Sequence, residues 1–485
     1  MKNIRLPLAK IMMVLLLLVA AFGSVAGQRH YKDLQYTDLA DIDIPEVEQV
    51  TLSNGMRLFL LEDQGLPLVS LSARIRVGSI YETEEKIGLA SITGEVMRTG
   101  GTMSQSGDKI DEELERLAAS VETGIGQDSG FAFMSVLKKD AETGLRILAD
   151  ILMNPAFPED RIELAKIQRR SSIVRRNDSA NAIASREFDK LIYGPKSVYA
   201  RHMEYATVEA ITRQDLVDFH GRFFYPNNMM LAVWGDFETT DMVEKIEKAF
   251  KQWKKGDVKL SEISKVNYKF QSTVNLVEKT DVNQSNIYLG HIGGLRNDPD
   301  YFALSLMNRI LGMGFTSRLF REVRSRQGLA YSVFGHYSAG YDHPGMFFVG
   351  CQTKSETTVQ AIRAMTAEVR KITETKVTEE ELEVARESFL NSFVFNFDSR
   401  REIVSRLMTY AYHGYPLDFL QKVKEGIEKV TREEILRVAR KRLRPDQMQI
   451  LTVGRAEDFD EPLSVIGPVN KIDVVIPEDE RELKR

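Results

Sequence analysis

The stretch Gly88-Leu89-Ala90-Ser91-Ile92-Thr93-Gly94-Glu95-Val96-Met97-Arg98-Thr99-Gly100-Gly101 decides how the rest of the chain is read. Leu89, Ile92 and Val96 fall at the i, i+3, i+7 spacing of a helix with one face in a core. Ser91 and Glu95, four apart, therefore share another face of that helix, and this is where chemistry is expected.

Working outward, Val50-Thr51-Leu52, Ser53-Asn54-Gly55 and the run from Met56 to Leu61 predict a hairpin, because Asn-Gly supplies the positive φ angles of a tight turn. Val69, Leu71, Ala73, Ile75 and Val77 alternate with Ser70, Ser72, Arg74 and Arg76, which predicts a half-buried sheet strand. Downstream, helices are expected over residues 110–119, 141–154 with a stop at Pro155, 159–191 with a break near Asn177-Asp178, and 212–223. A strand over residues 229–234 ends at Gly235-Asp236. Residues 120–137 read as strands broken at Gly124, Gly126 and Gly130; within them, residues 122–127 suit either an edge that pairs with an extended peptide or a plain turn.

The same order of elements recurs over residues 270–460. Val208-Glu209-Ala210-Ile211-Thr212-Arg213-Gln214-Asp215-Leu216 reappears as Ile427-Glu428-Lys429-Val430-Thr431-Arg432-Glu433-Glu434-Ile435, and Tyr225-Pro226-Asn227-Asn228-Met229 as Arg444-Pro445-Asp446-Gln447-Met448. Both lead into an apolar strand and a glycine, Gly235 and Gly454. Two copies of one α+β unit are expected, over residues 28–255 and 273–485, joined by residues 256–272 within the Lys-rich segment 251–272.

A chain of 485 residues is too long for one core, and 43% apolar with 28% charged residues is an ordinary globular composition. A formal charge of -5 gives no electrostatic case for nucleic acid. Lys2, Arg5 and Lys10 precede an apolar run over residues 11–22 and the small residues Gly23-Ser24-Val25-Ala26-Gly27. That order predicts a signal peptide over residues 1–27, hence an exported, periplasmic chain with no stable membrane span after cleavage; an uncleaved anchor is the alternative. The single cysteine, Cys351, sits in the apolar string Phe347-Phe348-Val349-Gly350-Cys351 and reads as a core residue.

Gly78-Ser79-Ile80-Tyr81-Glu82, then Gly88-Leu89-Ala90, then Gly100-Gly101-Thr102 resembles the pitrilysin/insulinase family of zinc peptidases, which includes the mitochondrial processing peptidases. The resemblance implies an α+β fold of two homologous α/β-sandwich domains facing across a chamber. In that family the helix carries His-x-x-Glu-His, two zinc ligands with the activating base between them. Here those positions read Ser91, Gly94 and Glu95, and the family's remaining ligand, a Glu on a later helix, falls at Ser171 or Ser172. Structural zinc sites draw about 10–16 kcal/mol from several ligands acting together. One carboxylate does not replace them, so no metal or other cofactor is expected in this chain.

The second constellation is Ser317-Arg318-Leu319-Phe320-Arg321-Glu322-Val323-Arg324-Ser325-Arg326-Gln327-Gly328-Leu329-Ala330-Tyr331-Ser332-Val333, a helix with an Arg-rich end, Gly328 as its cap, and a strand opening at Tyr331. The resemblance implies that Arg324 and Tyr331 face the zinc across the chamber, where arginine grips a peptide carbonyl or carboxylate and the tyrosine hydroxyl donates to a developing oxyanion. A solvated basic helix face is the structural alternative. Gly312-Met313-Gly314 reads as a tight loop or a close backbone approach. His336 and His343 could be imagined as a metal pair but lack a third ligand; His202, His220, His291 and His413 are scattered singly and read as packing or surface residues.

The expected function is that of a non-zinc subunit of an exported two-chain peptidase, supplying Arg324 and Tyr331 beside a homologous partner that bears the zinc, with short or unfolded peptides as substrates. A peptide-binding or assembly module without cleavage is the alternative, and a self-sufficient enzyme with a rebuilt zinc site is a third reading.

Overall fold

The computed structural model describes residues 45–477. The signal peptide expected at residues 1–27 lies outside them. Among the described residues no helix is long and apolar enough to cross a membrane.

The hairpin forms as expected from Glu48–Thr51 (β1) and Arg57–Glu62 (β2), with Gly55 at φ +85° in the turn. With Leu68–Ile75 (β3), Ser120–Ile125 (β4), Gly130–Leu137 (β5) and Met229–Gly235 (β6) it makes a six-stranded sheet of order β1-β2-β6-β3-β5-β4. The second half adds Thr273–Glu278 (β7), Gln284–Ile292 (β8), the short pair Gly294–Leu295 (β9) and Ala339–Gly340 (β11), Ala330–Tyr337 (β10), Met346–Lys354 (β12), Gln449–Gly454 (β13) and Val469–Lys471 (β14). Its main sheet, read from β14, runs β14-β7-β13-β8-β12-β10.

The two sheets have one topology. β2 and β6 pair parallel, as do β7 and β13, while β6-β3-β5-β4 and β13-β8-β12-β10 pair antiparallel throughout. The duplication read from the sequence is thus a duplication of the fold. The copies differ at one edge: β1 is the antiparallel hairpin partner of β2, whereas β14 returns from the C-terminal end to lie parallel to β7.

Strand alternation divides each sheet into two faces. Leu58, Leu60, Val69, Leu71, Ala73, Ile75, Leu231 and Val233 pack on helices of their own half, including Leu89–Thr99, Ala141–Met153 and Arg213–Phe223. On the opposite face Phe59, Leu61, Met230 and Ala232 pack on Ile403, Val404, Met408 and Tyr412 of the helix Arg400–His413, which belongs to the second half. The exchange is reciprocal. Ile183, Ala184, Phe188 and Ile192 of the first half's helix Ala180–Tyr193 cover Val277, Tyr288, Leu451 and Val453 of the second sheet. β2 and β6 are buried on both faces and therefore read as continuous apolar runs. β3 keeps its polar residues on the face toward the other half's helix, and there a site forms.

Candidate functional site

The helix Leu89–Thr99 begins under a carboxylate that sequence reading left unassigned. Glu82 accepts from the amides of Ala90 at 2.6 Å and Gly88 at 3.2 Å, so the first turn's free N–H groups are met by an acidic side chain. Burial pushes its pKa up to about 7, against the pull of those two amides and of Arg201. Its second oxygen, Oε2, is buried without a hydrogen-bond partner among the described residues.

One turn on, Ser91 and Glu95 face the helix Glu159–Val174, and the residue that meets them is Arg169. Its Nη2 donates to Glu95 Oε2 at 2.5 Å, its Nε to Ser91 Oγ at 3.3 Å, and Nη2 also reaches the Ser91 carbonyl at 3.4 Å. Ser171 and Ser172, where the resemblance puts the third ligand, are both exposed, and the Ser172 hydroxyl donates to the Gln168 carbonyl of its own helix. Gly94 lies against the edge strand β4. A Cβ there would stand 2.4 Å from the Ile125 nitrogen and 2.7 Å from the Gly124 carbonyl carbon, and Thr123 Oγ1 donates to the Gly94 carbonyl at 2.6 Å. These residues do not fit a zinc ion. The carboxylate is engaged by a guanidinium, and the base position has no room for a side chain. Among the described residues no group of three or more His, Cys, Asp and Glu is placed to hold a metal.

A cavity of about 740 Å³ opens beside this pair. It is lined by Ser91, Glu95 and Arg169, by β4 with Phe131 of β5, by Arg74 of β3 and by Arg401 of the second half's helix. The segment over residues 122–127, for which strand and turn are both open in the sequence, is mostly strand: among the described residues β4 pairs only with β5 and is the edge of the sheet, and the turn follows at Gly126.

The second constellation separates its four arginines. Arg318 grips Glu381 through two hydrogen bonds of 2.8 Å, Arg321 adds a third at 2.9 Å, and Arg326 pairs with Glu322. Against the burial that would raise it, the Arg318 hydrogen bond and its neighbours hold the Glu381 carboxyl down at about 2. Arg324 makes no ion pair among the described residues; its guanidinium lies 4.7 Å from the ring centre of Tyr331 and 4.6 Å from that of Phe320. Tyr331 is the extra residue of a bulge, since Ala330 pairs with Thr353 and Ser332 with Gln352, the next residue back along β12. The bulge lies on the edge strand β10 and leaves Tyr331 84% exposed. Arg324 and Tyr331 are therefore brought together, and neither lines the cavity at Glu95.

Other candidates resolve simply. Gly312 lies against the Gly335 backbone, a close approach. His336 is exposed on β10, while His343 bonds Asp342 and stacks on Tyr199, so the two do not converge. Cys351 is buried in β12, and burial pushes its thiol up to about 12. Sequence reasoning missed Glu82, Arg169 and Arg401. Glu82 stood inside the quoted motif, and its spacing to the helix start was the available signal; Arg169 and Arg401 had none.

The family described as insulinase (peptidase family M16) matches residues 58–191, and the one described as peptidase M16 inactive domain matches residues 210–389. The chain is 25% identical over 362 residues to the uncharacterized zinc protease YmxG of Bacillus subtilis, covering 74% of this chain and 87% of that one. It is 22% identical over 389 residues to the non-peptidase homolog YmxG of Helicobacter pylori, covering 77% and 86%. The crystal structure of a peptidase M16 inactive domain from Pseudomonas fluorescens superposes with a TM-score of 0.78 at 25% identity, over 86% of this chain and all (100%) of that one.

Proposed function

This chain belongs to the M16 peptidase family as an inactive-type homologue, and we propose that it serves as the non-zinc subunit of an exported heteromeric peptidase, holding short or unfolded peptide for a homologous partner that carries the metal. The Arg169–Glu95 pair carries the first part of the reading. A guanidinium cannot lower the pKa of a bound water as zinc does, and Gly94 has no group to take its proton.

Arg324 and Tyr331 support the second part. Of the four arginines in its segment, Arg324 is the one without a carboxylate partner among the described residues, and it lies over a tyrosine that is 84% exposed. Such a pair can donate to a carbonyl being attacked elsewhere but supplies no nucleophile. Export rests on the leader read at residues 1–27.

The test is reconstitution. The purified chain is expected to be inert toward unfolded peptides and to hold no stoichiometric zinc by metal analysis; mixing it with an M16 homologue bearing intact His-x-x-Glu-His is expected to raise that partner's turnover. Hydrolysis by the lone chain, or one tightly held zinc per chain, overturns the reading. The position of β4 at the sheet edge among the described residues favours one other function, a peptide-binding or assembly module. In that case peptides bind, no partner's turnover rises, and changing Arg324 and Tyr331 together leaves binding intact.

A further inference from the structure

The cavity beside the Arg169–Glu95 pair holds more cationic charge than its own acids neutralise. Arg169 is engaged by Glu95, and the buried Arg98 by Asp111 and the Val121 carbonyl. Arg74 and Arg401 make no ion pair among the described residues. Each lies on an aromatic ring instead, Arg74 5.2 Å from the ring centre of Tyr412 and Arg401 5.7 Å from that of Phe133. A guanidinium resting on a ring keeps its in-plane N–H donors for a planar acceptor, and carboxylate is the acceptor whose two oxygens match that fork.

On the acidic side, Glu402 stands 3.8 Å from Arg406, and Glu122, cross-strand from Phe133, is the lining carboxylate with no ion pair among the described residues. Two uncommitted guanidiniums thus stand against one uncommitted carboxylate. They come from opposite halves, Arg74 from β3 and Arg401 from the helix Arg400–His413, and both border the cavity that the edge of β4 enters. Phe131, half exposed with its ring over Gly124, adds an apolar surface between that edge and Arg74, its own cross-strand neighbour.

We propose that this cavity recognises a carboxylate of an extended peptide, gripped between Arg74 and Arg401, so that the chain selects acidic or C-terminal segments. The inference rests on the proposed reading that the chain holds peptide, and adds the place where it is held and the class of peptide taken. Selectivity arises because only a bound carboxylate satisfies both guanidiniums, while a lysine brought there meets like charge.

The test uses the full chain and fluorescence anisotropy with one short labelled peptide made with Glu, Gln or Lys at its centre, each with a free or an amidated C-terminus. The Glu peptide is expected to bind at least about tenfold more tightly than its Gln counterpart, the worth of a charge-assisted contact, and added salt is expected to narrow the gap. Arg401 is exposed, so Arg401→Glu is expected to fold normally and to abolish the preference, and Arg74→Gln to reduce it. If amidation costs the affinity and Glu→Gln does not, the carboxylate recognised is the C-terminal one. Equal binding of the Glu, Gln and Lys peptides with no cost of amidation, or an undiminished preference in Arg401→Glu, overturns the inference while leaving the peptide site standing. Absence of binding by every peptide overturns both.

Discussion

The guanidinium of Arg169 stands 2.5 Å from the carboxylate of Glu95 across two helices, 74 residues apart in the chain. The pair is part-buried, with side chains 18% and 28% exposed, so it lies between a surface bridge of little worth and a buried one whose separation is costly. The resemblance read from the sequence implies that this is the place of the metal in the peptidases concerned.

Restoring the lost motif is therefore expected to fail. In Ser91→His/Gly94→Glu/Glu95→His the glutamate's Cβ is driven into the β4 backbone at Ile125, where the far end of no flexible side chain can yield. Overpacking of this kind costs about 1–3 kcal/mol or more. Gly94→Glu alone is expected to carry most of the loss of stability in a denaturant melt, and the triple variant to hold no stoichiometric zinc by metal analysis. A triple variant as stable as the parent and loaded with zinc would refute this account of the helix.

Glu82 makes stability depend on pH. Its folded-state pKa of about 7 lies above the ordinary 4.5, so between those values the folded chain binds more protons than the unfolded one. Stability from this group is fully present below about pH 4.5 and is lost as pH rises through about 7. Glu82→Gln removes the titration. Relative to the parent, its stability is expected to improve by on the order of 2–3 kcal/mol between pH 4.5 and pH 8, read from melts at matched ionic strength. A difference that stays constant with pH is the contrary result.

The exchanged helices are expected to make the two halves one cooperative unit. Phe188 is fully buried on the second sheet, within ring distance of Tyr288 and Phe348, although it comes from the first half. Phe188→Ala is expected to cost about 3–5 kcal/mol. Hydrogen exchange is expected to rise on β8 and β13 as well as on the helix Ala180–Tyr193; exchange confined to that helix would show the halves to be independent.

Tyr331 offers a variant that separates function from folding. An exposed side chain on an edge bulge contributes little to the core, so Tyr331→Phe is expected to change stability by less than about 0.5 kcal/mol. Removing one oxyanion donor costs about a hundredfold or more in turnover where the donor acts. The reconstituted two-chain activity is the readout, and turnover unchanged by Tyr331→Phe would assign the residue no part in it.

Much of the scaffold was legible because its signals are local. Alternation of Val69, Leu71, Ala73 and Ile75 with Ser70, Ser72 and Arg74 is a property of one strand, and it correctly separated the core face from the cavity face. Asn54-Gly55 marked the hairpin, and paired strings such as 208–216 and 427–435 marked the duplication that the two sheets share. The exchange of helices left no such mark. An amphipathic helix such as Arg400–His413 shows that it has an apolar side and not which sheet covers it.

By itself, then, the sequence determined that there are two copies of one unit and that the helix at Gly88 carries Ser91, Gly94 and Glu95 with no imidazole among them, because these facts lie in residue identity and spacing. Tertiary structure alone decided what meets Glu95. Arg169 reaches Glu95, and Arg401 reaches the cavity of the opposite half, only because helices distant in the chain are packed side by side, and side-chain charge carries no information about its partner until packing brings the two together.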